Sequence, residues 1–230
     1  MIERYVDSVS TYAGQIDGLI LLVTVLVGFW FLLSEAVFLG FILRYRRRDG
    51  VKAEYITGEE KELVRWIHWP HYLIIVCDIF IIYGAVRVWY NVKQNLPPAE
   101  QHVRVIGQQW AWSFVHAGPD GKLDTPDDIK TVDELHIKAQ TVYHYHLEAR
   151  DVLHSFSVPV FRLKQDAVPG RIITGWFKAT KTGSYDIQCA EICGIGHGVM
   201  AGRIIIETPE QHVAWMSQHS PATLAWAVGD

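Results

Sequence analysis

The run from Leu19 to Leu43 restricts this chain's fold most: it is almost continuously apolar, broken by Thr24, Ser34 and Glu35. As a helix rising about 1.5 Å per residue, it covers the ~30 Å hydrocarbon core of a bilayer. The run is too long for the apolar part of a secretory signal, and neither a basic leader nor a small-residue cleavage site flanks it. A second run, Tyr72 to Tyr90, carries only Asp78 and Arg87 as charges and is about the minimum length for another span. The expectation is a transmembrane hairpin with helices over about 18–43 and 70–91, within an anchor of residues 1–94. Arg44, Arg46, Arg47, Arg48, Lys52, Lys61 and Arg65 crowd the connector, against Arg4 ahead of the first span. That asymmetry puts the connector in the cytoplasm, and both termini and everything after residue 91 on the outer side. Asp78 within a span is costly in lipid and implies a protein partner, whereas Glu35 is near enough to Arg44 to be drawn towards the interface.

After the second run, Asn95-Leu96-Pro97-Pro98-Ala99 cannot continue a helix and marks a boundary, so residues 95–230 form a second, exported domain. Its short β-branched and aromatic runs predict strands at 102–106, 110–115, 135–138, 142–149, 172–178 and 202–207. Along 142–149, Tyr143, Tyr145, Leu147 and Ala149 fall on one face and His144, His146 and Glu148 on the other. A small all-β sandwich or barrel fits. Gly118 to Lys130 reads as an exposed loop, and Thr208-Pro209-Glu210-Gln211 as the capped start of a short helix through about Ser217. From Val92 onward the net charge is −3. That argues against a nucleic-acid partner, and suits a basic protein partner as well as an ordinary solvated surface.

Within Cys189-Ala190-Glu191-Ile192-Cys193-Gly194-Ile195-Gly196-His197-Gly198-Val199-Met200, two thiols, an imidazole and a thioether fall inside twelve residues. Soft sulfur together with imidazole is a copper-selecting set, and the glycines let a loop turn tightly around a metal. A Cys189–Cys193 disulfide would leave His197 and Met200 unexplained. Structural zinc does not call for a thioether.

The pattern Cys-x-Glu-x-Cys-x-x-x-His-x-x-Met resembles the dinuclear copper loop of the cytochrome c oxidase subunit II family. That family's upstream histidine motif is matched by Asp151-Val152-Leu153-His154-Ser155-Phe156-Ser157-Val158-Pro159. Lys164 to Arg171 and Gln109-Trp110-Ala111-Trp112-Ser113-Phe114 match as well, so the resemblance spans hairpin and β domain. It implies a two-helix transmembrane hairpin followed by an all-β cupredoxin-like (Greek-key β-sandwich or barrel) domain. It implies that Cys189 and Cys193 bridge two copper ions, that His154 and His197 bind one each, that Met200 ligates one, and that Glu191 offers its backbone carbonyl. The Glu191 side chain would also reach a magnesium ion at the boundary with the catalytic subunit. Trp110 would be the exposed residue receiving electrons from cytochrome c or another c-type haem donor, with Trp112 two residues on and on the same strand face. The implied function is an electron-accepting oxidase subunit, and the absence of a presequence together with the Asp-rich loop points to a bacterial inner membrane. It would pass electrons to haem in catalytic subunit I of a multi-subunit complex, where oxygen is reduced to water with proton translocation. No Cys-x-x-Cys-His occurs, so no c-type haem is fused and the donor is another protein.

Three competing readings are distinguishable. A quinol-oxidase counterpart lacks the copper residues, the copper domain of nitrous oxide reductase lacks a two-helix anchor, and a mononuclear blue-copper carrier needs one cysteine. Some residues match less well. The family places a glutamate for proton uptake three residues before a tryptophan; Leu63 holds that register relative to Trp66, with Glu62 one residue away. His144 and His146 are read as polar surface rather than metal ligands, and Asp120 to Asp128 as an acidic turn rather than a calcium loop.

Overall fold

A computed structural model of the chain describes residues 7–52 and 55–221. One compact unit is built on Asp17–Tyr90, and the other on residues from Asn91 onward together with the N-terminal stretch through Ile16.

The first unit is made of helix α1 (Ala13–Arg44) from Asp17 onward and helix α2 (Lys61–Trp89); a π-helical turn, Tyr90–Gln94, continues α2 into the other unit. Both are long and apolar enough to cross a membrane by length and composition. Side chains such as Phe31 and Leu32 are exposed, as expected of helices that are apolar all round. The Thr24 hydroxyl donates to Ile20 O (2.7 Å) and the Trp30 indole N–H to Cys77 Sγ (3.4 Å), which satisfies polar groups within the apolar helices. α2 starts well before the expected residue 70, with Pro70 inside the helix. Proline removes one backbone hydrogen bond there without ending the helix. Glu62 falls in the first turn of α2 and makes an exposed pair with Arg65 (3.0 Å). Glu35 and Asp78 are exposed.

The second unit contains β1 (Gln101–Gln108), β2 (Ala111–His116), β3 (Ile129–Val132), β4 (Glu134–Lys138), β5 (Val142–Ala149), β6 (His154–Val158), β7 (Leu163–Ala167), β8 (Ile173–Lys178), β9 (Gly183–Cys189) and β10 (Ala201–Glu207), followed by helix α3 (Pro209–His219). Two five-stranded sheets, ordered β3-β2-β1-β5-β8 and β4-β10-β9-β6-β7, form a sandwich. β1/β5 and β4/β10 pair in parallel, and the other neighbours antiparallel. The expected alternation in β5 is present: Tyr143, Tyr145, Leu147 and Ala149 are buried while His144, His146 and Glu148 are half-buried. Their inner neighbours Trp112, Phe114 and Phe177 share the core with Phe156, Phe161, Leu135, Ile137, Ile187 and Ile204. Edge-to-face contacts such as Trp112–Phe156 (centroids 5.4 Å, 70°) are the arrangement aromatic rings prefer.

Residues assigned by sequence to the anchor also complete this core. Ser10 bridges Ala179, Val9 N–H donates to Val160 O (2.9 Å), and Val9, Tyr12 and Ala13 are buried. The Thr208 cap of α3 forms a full capping box with Gln211.

Candidate metal centre

β9 and β10 form an antiparallel hairpin, and the segment from Ala190 to Met200 connects them. The Cys189 N–H donates to Met200 O (3.1 Å), which closes the loop at its neck. Phe156 on β6 pairs with Cys189, and Ala190 N–H donates to Ser155 O (3.0 Å), so the start of β6 meets the end of β9. That register brings His154 to the cysteines from 35 positions away.

Around the two sulfurs, every predicted donor is present. Cys189 Sγ lies 3.7 Å from Cys193 Sγ, far beyond a disulfide bond, and both cysteines are free. His154 Nδ1 is 3.9 Å from Cys189 Sγ, and Glu191 O is 3.3 Å from the same sulfur. His197 Nδ1 is 3.7 Å and Met200 Sδ 3.8 Å from Cys193 Sγ. Each sulfur is thus flanked by one imidazole nitrogen and one further donor. His154, Cys189, Cys193 and Met200 are buried, while His197 and Glu191 are half-buried. Among the described residues, His154, Cys189 and Cys193 are the one group of three His, Cys, Asp or Glu donors close enough to hold a metal ion. Burial pushes the Cys193 thiol up to about 11, with Cys189 adding to the rise. A cation is the partner that would bring such a thiol to its thiolate form.

Gly194 has φ +118, a conformation L side chains rarely adopt. At Gly196 a Cβ would overlap the Trp110 ring, so the loop closes tightly under that indole. The Trp110 Nε1–H donates to Cys193 O (3.2 Å), and Gln109 Nε2 donates to the same carbonyl (2.8 Å). Trp110 is 39% exposed. It lies in the turn ahead of β2 and not in the strand, which corrects the expectation that it shares a strand face with Trp112. Trp112 points into the core, fully buried, with its ring centroid 6.1 Å from that of His154.

The sequence reading missed the groups that hold these donors. Asp151 Oδ1 accepts from His154 Nε2 (2.8 Å) and from Val152 N–H (2.7 Å), and Asp151 Oδ2 accepts from Gln109 N–H (2.7 Å). Burial raises the Asp151 pKa, but these donors outweigh it and hold the carboxyl below its ordinary value. Gly107 lies against the His154 ring, where a Cβ would come within 3.0 Å of Cδ2. Asp151 and Gly107 were visible in the sequence, but nothing in its pattern marks a carboxylate as facing an imidazole or a glycine as making room for one.

Two minor expectations are placed as well. His146 Nε2 meets His102 Nδ1 (3.2 Å) and His144 Nε2 meets Pro97 O (2.7 Å). In the acidic turn, Asp124 pairs with Arg104 (2.7 Å), Asp127 accepts from Thr125 and Asp120, and Asp128 accepts from Asp124 N–H.

A chain with two long apolar helices and a two-sheet sandwich, gathering thiols, imidazoles and a thioether at one hairpin loop, defines a membrane-anchored cupredoxin-like class. Residues 101–208 match the family described as "Cytochrome C oxidase subunit II, periplasmic domain". The alternative cytochrome c oxidase subunit 2 of Bradyrhizobium diazoefficiens is 29% identical over 234 residues, covering 91% of this chain and 82% of that one. Cytochrome c oxidase subunit 2 of Thermostichus vulcanus is 45% identical over 123 residues, covering 54% of this chain and 35% of the relative. The crystal structure of the periplasmic domain of cytochrome oxidase subunit II from Bradyrhizobium japonicum matches with a TM-score of 0.49 at 28% identity, over 54% of this chain and 96% of that one. Over its β domain, and at 29% identity along 91% of its length, this chain is similar to cytochrome c oxidase subunit II proteins.

Proposed function

We propose that this chain is the electron-accepting subunit of a haem-copper oxidase, holding a dinuclear copper centre on Cys189, Cys193, His154, His197, Met200 and the Glu191 carbonyl. The observation that carries this is the distribution of donors: two sulfurs 3.7 Å apart, each flanked by its own imidazole and one further donor. A single tetrahedral ion would use four of these six donors, whereas two ions would use all of them. Soft sulfur and imidazole are the chemistry copper selects. Bound there, the centre supplies one-electron redox chemistry.

The chain's own residues set the conditions for fast transfer. Burial of His154, Cys193 and Met200 excludes water, and the strands on both sides of the loop hold the donors rigidly. Trp110 offers an exposed indole hydrogen-bonded to the cysteine loop, so it is the surface residue through which a c-type cytochrome delivers electrons. Trp112, two residues on, backs His154 from inside the core. Electrons then pass to haem in a partner catalytic subunit, where oxygen is reduced to water and protons are translocated. The basic connector fits the cytoplasmic side of a bacterial inner membrane, with the copper domain outside. Among the described residues, no group of three metal-ligating side chains includes Glu191. A magnesium ion there would need most of its octahedral oxygen set from a partner chain.

The test uses the copper-loaded full chain in detergent, mixed with a reduced c-type cytochrome in a stopped-flow instrument. Oxidation of one cytochrome per chain is expected, and its abolition in Cys193→Ser. A loaded chain that leaves the cytochrome reduced would contradict the proposal.

A further inference from the structure

Asp151 sits in the bend ahead of β6 with both carboxylate oxygens engaged. Oδ1 accepts from His154 Nε2–H (2.8 Å), and Oδ2 accepts from the Gln109 backbone N–H (2.7 Å). The His154 side chain is fully buried and Asp151 is its hydrogen-bond partner at Nε2. A carboxylate accepts and cannot donate, so the neutral ring must carry its proton on Nε2. That leaves the Nδ1 lone pair bare on the side facing Cys189 Sγ, 3.9 Å away. Gln109 extends the connection: its side-chain amide donates to Cys193 O (2.8 Å), the carbonyl that also receives the Trp110 indole N–H (3.2 Å).

We infer that Asp151 is the positioning residue of this centre: it selects the His154 tautomer that turns Nδ1 to the cysteines, and through Gln109 ties that imidazole to the Trp110 turn and the Cys193 loop. The inference rests on the copper reading above. It goes further in assigning ring orientation, donor strength and the coupling of two distant segments to one carboxylate. An anionic acceptor on a ring N–H makes the opposite nitrogen a stronger donor. Stronger donation favours the oxidised form of a bound metal, so weakening it raises the reduction potential. In Asp151→Asn the single amide oxygen can accept from His154 or from Gln109, and the NH₂ end faces a donor at the other. One of the two links must break.

The experiment compares wild type, Asp151→Asn, Asp151→Glu and Gln109→Leu as full chains in detergent after copper loading. It reads copper retention against a chelator, reduction potential, and the pulsed electron paramagnetic resonance signal of the remote imidazole nitrogen. Wild type is the control for the copper reading: without two coppers sharing one electron, that reading fails and this inference with it. Given that control, Asp151→Asn is expected to retain copper roughly 10- to 100-fold less tightly, with a raised potential and an altered remote-nitrogen signal. Asp151→Glu, which keeps the charge, should fall between Asn and wild type in potential. Gln109→Leu should slow electron uptake while leaving the remote-nitrogen signal unchanged. Wild-type potential and nitrogen signal in folded Asp151→Asn would overturn the inference. If Asp151→Asn does not fold, Asp151→Glu decides: unchanged potential and nitrogen signal would overturn it equally.

Discussion

His116 ends β2 in the core, and its two nitrogens are committed to opposite roles. Nε2 accepts from His136 N–H (3.1 Å), so Nδ1 carries the proton and donates to Ile129 O (3.2 Å). A second proton would break the first bond and place a charge in the interior. Burial therefore lowers the pKa to about 3; the Ile129 carbonyl opposes the shift, and His136, His212 and His219 reinforce it. In the unfolded chain the same ring titrates near pH 6.5. The folded pKa is thus depressed, and the unfolded state binds the extra proton as pH falls. His116 contributes its full stability above about pH 6.5 and loses it progressively towards pH 3. At 1.36 kcal/mol per unit, lowering the pH from 7 to 5 removes about 2 kcal/mol through this residue. His102, His146 and His212 are also lowered, chiefly by burial, and push in the same direction. The measurement is therefore a difference between wild type and His116→Asn. Guanidinium unfolding of both full chains in detergent, followed by near-ultraviolet circular dichroism at pH 7 and 5, should show wild type losing about 2 kcal/mol more than the variant. Equal losses would refute the assignment of a neutral buried His116.

Other perturbations follow from the same contacts. Gly196→Ala places a methyl group on the Trp110 ring; stopped-flow should show electron uptake slowed by roughly tenfold or more with copper content unchanged. Gly107→Val forces a branched side chain against His154 and Trp112; thermal melts should report about 1–3 kcal/mol of destabilisation, and a chelator should strip copper faster. Thr208→Ala removes the capping box of α3, at a cost of about 1 kcal/mol visible as increased amide exchange in Pro209–His219.

The features legible in the sequence were those with a strong period or a dense chemical signature. The two apolar runs gave both long helices, and the Tyr143-Tyr145-Leu147 alternation gave the inner face of β5. β3, β6, β7 and β9 were not read as strands. β3 and β7 lie at sheet edges, and Ile129–Val132, Leu163–Ala167 and Gly183–Cys189 carry many exposed or half-buried positions. With little apolar surface to bury, their sequences carry little alternation. β6 stands out in the sequence by its histidine rather than by its period, although Phe156 and Val158 are fully buried. At the site, spacing revealed which donors belong together. It did not reveal what orients them: Asp151 and Gln109 meet because β1 and β5 pair in parallel with Gly107 opposite Ala149, a register that carries on to these two residues and has no local signature. Trp110 and Trp112 show the same limit, since a turn one residue longer than the strand pattern suggests separates an exposed ring from a buried one.

The central claim is that one sulfur pair and the four donors around it hold two coppers as a single redox unit. Copper analysis combined with electron paramagnetic resonance of the oxidised full chain in detergent tests it most directly. The account predicts two coppers per chain and one unpaired electron coupled to both nuclei, lost in Cys189→Ser. One copper per chain with a mononuclear hyperfine pattern would contradict it.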